Sequence, residues 1–201
     1  RDVFNRLSAV GTFNFAVTAD GAELATPPRE SGEQLKITMS KDAVQVSFDP
    51  TAKSNEFAAE ELVVVMKEVA AALAIPIFIH QTHVLRKTLP LGGQADARAF
   101  LLNEVVQIPP ARLSGWKRGF AGVGLRFVFP PQQVNELSAH DLKIESYLAD
   151  PTKVFIEDAA NFLMPMPTGQ WDALKGNLAE VNRFMDDYAL ALLRGNLTKD
   201  V

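Results

Sequence analysis

The sequence predicts an α+β protein built of two related units, each an antiparallel sheet covered by a long helix, and three observations carry that reading. Apolar and polar residues alternate in short runs separated by turn-forming residues, which is the period of a half-buried strand. Two long segments carry apolar residues at helical spacing instead. Three anchors also recur in the same order in both halves. Arg6-Leu7-Ser8 returns as Arg112-Leu113-Ser114, Val10-Gly11 before Phe13 and Phe15 returns as Val123-Gly124 before Phe127 and Phe129, and Leu35-Lys36-Ile37 returns as Leu142-Lys143-Ile144. The order suggests an internal duplication with an approximate twofold, residues 1–75 forming one unit and 76–201 the other, packed as one compact domain.

In the first unit, strands are expected at Phe13, Phe15 and Val17, at Leu35, Ile37 and Met39, and at Val44, Val46 and Phe48. Asp20-Gly21 and Pro27-Pro28 read as a loop between the first two, and Lys41-Asp42 as the tight link to the third. A helix follows from Asn55 to Ala74. Its polar residues Glu60, Glu61, Lys67 and Glu68 form one narrow stripe, so it is expected to be buried on more than one side. Pro76 ends it.

The second unit opens with a long strand over 77–89, a turn at Gly92-Gly93 and a helix over 95–106, which Pro109-Pro110 breaks. Three strand-like runs follow, at Leu125, Phe127 and Phe129, at Leu142, Ile144 and Leu148, and at Val154 and Ile156. The last helix begins near Gln170. Trp171, Leu174, Leu178, Val181, Met185, Tyr188 and Leu192 keep a heptad spacing, but Phe184 and the alanines widen the face beyond a coiled-coil seam. A helix packed on a sheet is expected, with Gly176 at a point of close backbone approach. Because a strand and a helix precede the second Arg-Leu-Ser and not the first, the duplication predicts a matching pair roughly thirty residues upstream of Arg1.

Composition limits the chemistry. A chain of 201 residues with 47% hydrophobic and 22% charged side chains lies in the globular range. It has no cysteine, which removes disulfides, thiolate catalysis and cysteine-based metal sites and suits a cytoplasmic protein. The most apolar stretch, Leu62–Ile75, is interrupted by Lys67 and Glu68 and is too short to span a bilayer, so no membrane insertion is expected.

Charge is unevenly spread. Residues 1–85 hold 7 basic and 11 acidic side chains, 86–126 hold 7 and 2, and 127–201 hold 6 and 11. The basic middle can attract an anionic partner or be neutralised inside the fold, and neutralisation is the favoured expectation.

Each candidate for chemistry has a plain structural counterpart. His80 and His83 are too far out of strand phase to share a face, so no metal site is expected. His140 beside Asp141 reads as an ordinary loop pair. The glycines of Arg118-Gly119-Phe120-Ala121-Gly122-Val123-Gly124 lead into a strand and not a helix, unlike a dinucleotide loop. Gly92-Gly93 before a helix, with Arg86, Lys87 and Arg98 near in sequence, is a candidate anion site. Arg112, Trp116, Lys117 and Arg118 set an aromatic among cations, able to hold a partner unless Trp116 folds into the core. Nucleic acid is disfavoured by the acidic pI near 5.4 and by the lack of a reader motif.

These features favour a noncatalytic protein, requiring no cofactor, that binds itself or a macromolecular partner. A small-molecule binder with a cavity between sheet and helix is the alternative. An enzyme with dispersed residues is the second, without a catalytic motif to support it.

Overall fold

The computed structural model describes residues 2–9, 11–30, 32–49, 53–92, 96–131 and 138–197. In chain order the first elements are α1 (Asp2–Leu7), β1 (Asn14–Thr18), β2 (Gly21–Ala25), β3 (Gln34–Ser40), β4 (Val44–Asp49), α2 (Asn55–Leu73) and β5 (Ile77–Phe78). Next come β6 (Gln81–Pro90), α3 (Ala97–Phe100) running into a π-helical stretch Leu101–Val106, α4 (Pro110–Leu113), β7 (Gly124–Phe129), β8 (Ser138–Ser146) and β9 (Lys153–Phe162). The chain closes with β10 (Met166–Pro167), α5 (Trp171–Phe184), a second π-helical stretch Met185–Leu190, and α6 (Ala191–Leu197). The fold is α+β with antiparallel sheets.

Two compact units form, one from Arg1–Ile79 with Pro165–Leu178 and the other from His80–Met164 with Ala179–Val201. In the first, β1-β2-β3-β4 make an antiparallel meander. Leu35, Ile37 and Met39 alternate inward along β3 and meet Leu24 of β2, which is fully buried. β2 was expected as loop. Gly-Ala-Glu-Leu-Ala lacks the β-branched and aromatic residues that mark a strand, and the hairpin forms because Gly21 admits close approach. A Cβ there would stand 1.9 Å from the Met39 carbonyl oxygen.

Helix α2 starts where the Ser54 hydroxyl accepts from the Phe57 N–H and ends on Ala74 in the left-handed region. As its stripe predicts, it buries two sides. Val65 and Val69 face the sheet cluster, while Val63 and Met66 meet Met166 and Leu174. The long strand expected over 77–89 is divided, β5 pairing with β10 in the first unit and β6 with β9 in the second.

The second unit orders its strands β6-β9-β8-β7. Strict alternation sends Leu142 and Ile144 of β8, and Val154, Ile156, Ala160 and Phe162 of β9, to one face. Ala97, Leu101, Met185, Ala189, Leu190 and Leu193 cover part of it. The heptad reading of the last helix holds through Met185 and then fails. An i→i+5 turn advances the phase, so Ala189, Leu190 and Leu193 are buried while Tyr188 and Leu192 are exposed. Gly176 also departs from expectation, since a Cβ at that position meets no atom within 4 Å.

The recurring anchors fall on like elements, Arg6-Leu7 in α1 and Arg112-Leu113 in α4, Leu35–Ile37 in β3 and Leu142–Ile144 in β8. Their pairing differs, however. β7 pairs directly with β8, whereas β2 stands between β1 and β3.

Candidate partner-binding loop and a buried polar network

The seven cations of the basic segment separate into two groups. Arg86 pairs with Glu157 (2.7 Å), Lys87 with Asp186 (3.0 Å), Arg98 with Asp96 and Arg126 with Asp141 (2.6 Å). Glu157, Asp141 and Asp186 come from the acidic C-terminal third, so the fold neutralises this part of the segment internally. The hydrogen bond from Lys143 holds Glu157 below its ordinary pKa, and that from Arg126 does the same for Asp141.

This pairing also takes up part of the candidate anion site before α3. Asp96 caps that helix, accepting from the N–H groups of Arg98 (2.8 Å) and Ala99, and it binds the Arg98 guanidinium as well. Its pKa is held far below the carboxylate range, chiefly by the Arg98 side chain. The Arg98 and Ala99 amides and the Arg98 cation are occupied by the chain's own carboxylate. Gly93 lies outside the described residues.

Arg112, Lys117 and Arg118 form the second group. None of them makes an ion pair among the described residues, and all three are exposed. They lie in one segment with Trp116, which is 61% exposed and packs edge-on against Phe120 at 6.0 Å. Pro110 begins the short turn α4, Ser114 Oγ donates to the Ala111 carbonyl, and the Trp116 N–H donates to the Leu113 carbonyl. At the exit, the Val123 N–H donates to Ser146 Oγ (3.0 Å) and the Val123 carbonyl accepts from the Ser146 N–H (2.8 Å). Both ends are thus tied, and the cations and the indole between them face solvent. Trp116 does not fold into the core.

Sequence reasoning missed a buried network on the inner face of the second sheet. Ser138 and His140 of β8 point inward two residues apart, in phase with Leu142 and Ile144, and Asp158 of β9 does the same with no exposure at all. His140 Nδ1 lies 2.8 Å from Asp158 Oδ2, its Nε2 lies 3.2 Å from Ser138 Oγ, and its ring stacks on Phe184 at 3.7 Å. The sequence places His140 and Asp141 in a loop, but both lie within β8, where Asp141 points to the opposite face and binds Arg126. Strict alternation along β8 and β9 was the available signal, and the register that joins them was not.

Serine, histidine and aspartate are also the residue types of a nucleophile and its base. Ser138 Oγ lies against Glu180 as well as His140 Nε2, and Glu180 in turn lies 3.8 Å from His140 Nε2. Ser138 is also only 8% exposed. Through Glu180 the network ties α5 to the sheet.

His83 of β6 is buried edge-on against Phe162 (5.4 Å), while His80 lies in the link between β5 and β6, outside any strand, and is exposed. Burial pushes the His83 pKa down to about 4. In the first unit, Lys53 lies between Glu33 (3.0 Å) and Glu61 and near the rings of Phe48 and Phe57. Burial disfavours its charge, but the two carboxylates outweigh that and raise its pKa. A cavity of about 280 Å³ adjoins Glu61, with Phe13, Thr26, Arg29 and Val64 on its walls. Among the described residues, no group of three or more His, Asp or Glu side chains could hold a metal ion, and no helix is long and apolar enough to cross a membrane.

No protein-family model matches this chain, nor does any curated protein or solved structure. The loop around Trp116 and the network around His140 therefore stand on their own geometry.

Proposed function

We propose that this is a noncatalytic binding protein that takes an acidic segment of a protein partner on the loop Arg112–Phe120. One observation carries the reading. Four cations of the basic segment are neutralised within the fold, and the three that are not lie exposed in the same short segment as the exposed Trp116. Arginine and tryptophan are the residues that most often dominate the energy of protein interfaces, and cations facing solvent speed the encounter with an anionic surface. A short carboxylate-rich segment suits the loop better than nucleic acid does. The acidic segments on both sides in sequence repel a long, dense polyanion, whereas three cations match a local one. The absence of cysteine supports a reducing compartment, and we place the protein in the cytoplasm.

The test is a fluorescence titration of the full chain with poly-L-glutamate at low salt. A saturable shift of the Trp116 emission is expected, weakened by 0.5 M salt as about one Debye length shrinks to a few Å. Replacing Arg112, Lys117 and Arg118 together by Ala should reduce affinity at least about tenfold, equivalent to roughly 1.4 kcal/mol. An unchanged spectrum would refute the proposal. Tighter binding of a single-stranded oligonucleotide would transfer the loop to nucleic acid.

A further inference from the structure

We propose that β1 is a self-association edge, which pairs antiparallel with β1 of a second copy to join the two first-unit sheets into one. The sheet edges of this protein are not alike. In the second unit, β6 carries Arg86, Lys87 and Pro90, and β7 carries Arg126 in mid-strand. Charge and proline are the usual means by which an edge strand resists another strand. At the other end of the first sheet, Val44 and Val46 of β4 pack against the cluster of Met66, Met166 and Leu174. β1 has neither protection. Asn-Phe-Ala-Val-Thr bears no charge and no proline, all five residues are exposed, and Val17 at 78% is the most exposed large hydrophobic side chain among the described residues.

The backbone fixes how a second strand would fit. Thr18 and Gly21 close a two-residue hairpin, so they form a hydrogen-bonded pair, and Ala16 and Asn14 follow by alternation in bonding toward β2. The N–H and C=O groups of Phe15 and Val17 therefore point out of the sheet. A twofold on Ala16 sets Phe15 opposite the partner's Val17, so that the outward groups of both strands bond to one another. In that register Asp20 faces Thr12, and no like charges meet.

The core rows continue across the same axis. Val44, Met39, Ala22 and Val17 lie in one row through the register of the four strands, as do Val46, Ile37, Leu24 and Phe15. Val17 is the uncovered end of its row, and the partner's Phe15 would extend it. A second copy thus supplies both the missing strand and the missing apolar neighbour, which is the self-complementarity of an isologous contact.

Sedimentation velocity of the full chain between micromolar and hundreds of micromolar concentrations tests the proposal. The wild type is expected to show a concentration-dependent dimer. Val17→Pro removes one outward N–H, and Val17→Lys places two charges at the axis. Each should weaken the dimer at least about tenfold while the far-UV circular dichroism spectrum and melting profile stay those of the wild type. Should Val17→Pro disturb the hairpin, Val17→Lys decides, because its solvated side chain makes no demand on the fold. A wild type that remains monomeric throughout, or a dimer that survives both substitutions, overturns the proposal. The poly-L-glutamate titration is unchanged in these variants, which keeps this edge separate from the Trp116 loop.

Discussion

Acid should destabilise this protein through His83 before it affects the carboxylates. In the folded chain burial pushes the imidazole down to about 4, whereas the unfolded chain holds it near 6.5. Between those values the unfolded state binds a proton that the folded state refuses, so stability rises with pH. The contribution is complete above the unfolded value and is lost as pH falls from 6.5 toward 4. At about 1.4 kcal/mol per unit, lowering pH from 7 to 5 should remove about 2 kcal/mol. The depressed carboxylates act in a lower window. Asp150 is drawn down to about 2 by Thr152 and Lys153, and Asp141 and Glu157 are also lowered, so their losses begin only near and below the unfolded carboxylate values of roughly 4. Urea denaturation at pH 5, 6 and 7, on the wild type and on His83→Gln, isolates the histidine. The stability difference between the two proteins should narrow or reverse by about 2 kcal/mol on going from pH 7 to 5. A difference that stays constant over that range, or a folded-state NMR titration of the His83 ring centred near 6.5, would refute the reasoning.

Two further predictions concern the last helix and the buried network. Gly176 lies exposed within α5 with open space where a Cβ would be, so Gly176→Ala should stabilise the fold by about 0.5–1 kcal/mol and raise its melting temperature by a few degrees in calorimetry. Asp158→Leu leaves His140 Nδ1 without its partner in the core and should cost about 1–3 kcal/mol in urea denaturation. The double variant Asp158→Leu with His140→Leu should recover part of that loss, and if it is no more stable than the single variant the two residues do not act as a pair.

What the sequence made legible was whatever depended on local period. Alternation located β3, β8 and β9, and the narrow polar stripe of α2 foretold burial on two sides. Features set by register or by backbone geometry were hidden. β2 has a composition that does not distinguish it from a loop, and its place was decided by the hairpin at Gly21 and by pairing with β3. The partner of His140 lies across the sheet and not beside it in sequence, so no pattern along the chain could name Asp158. At the candidate loop, sequence named all four residues, because an aromatic among cations is visible as composition. It could not say which cations were available. That depended on which of the acidic residues scattered over the C-terminal third came to lie beside Arg86, Lys87 and Arg126.

The i→i+5 turn over Met185–Leu190 makes the closing helix one residue richer than an uninterrupted α-helix covering the same rise. Its two halves consequently obey different registers, and any comparison that slides the whole helix as one periodic unit will align one half and misalign the other. A relative without the extra residue would show a single gap there, with the residues aligned to Ala189 and Leu193 still inward and apolar and now following Met185 at ordinary α-helical spacing. The position of such a gap would locate the turn in a related sequence before its structure was known.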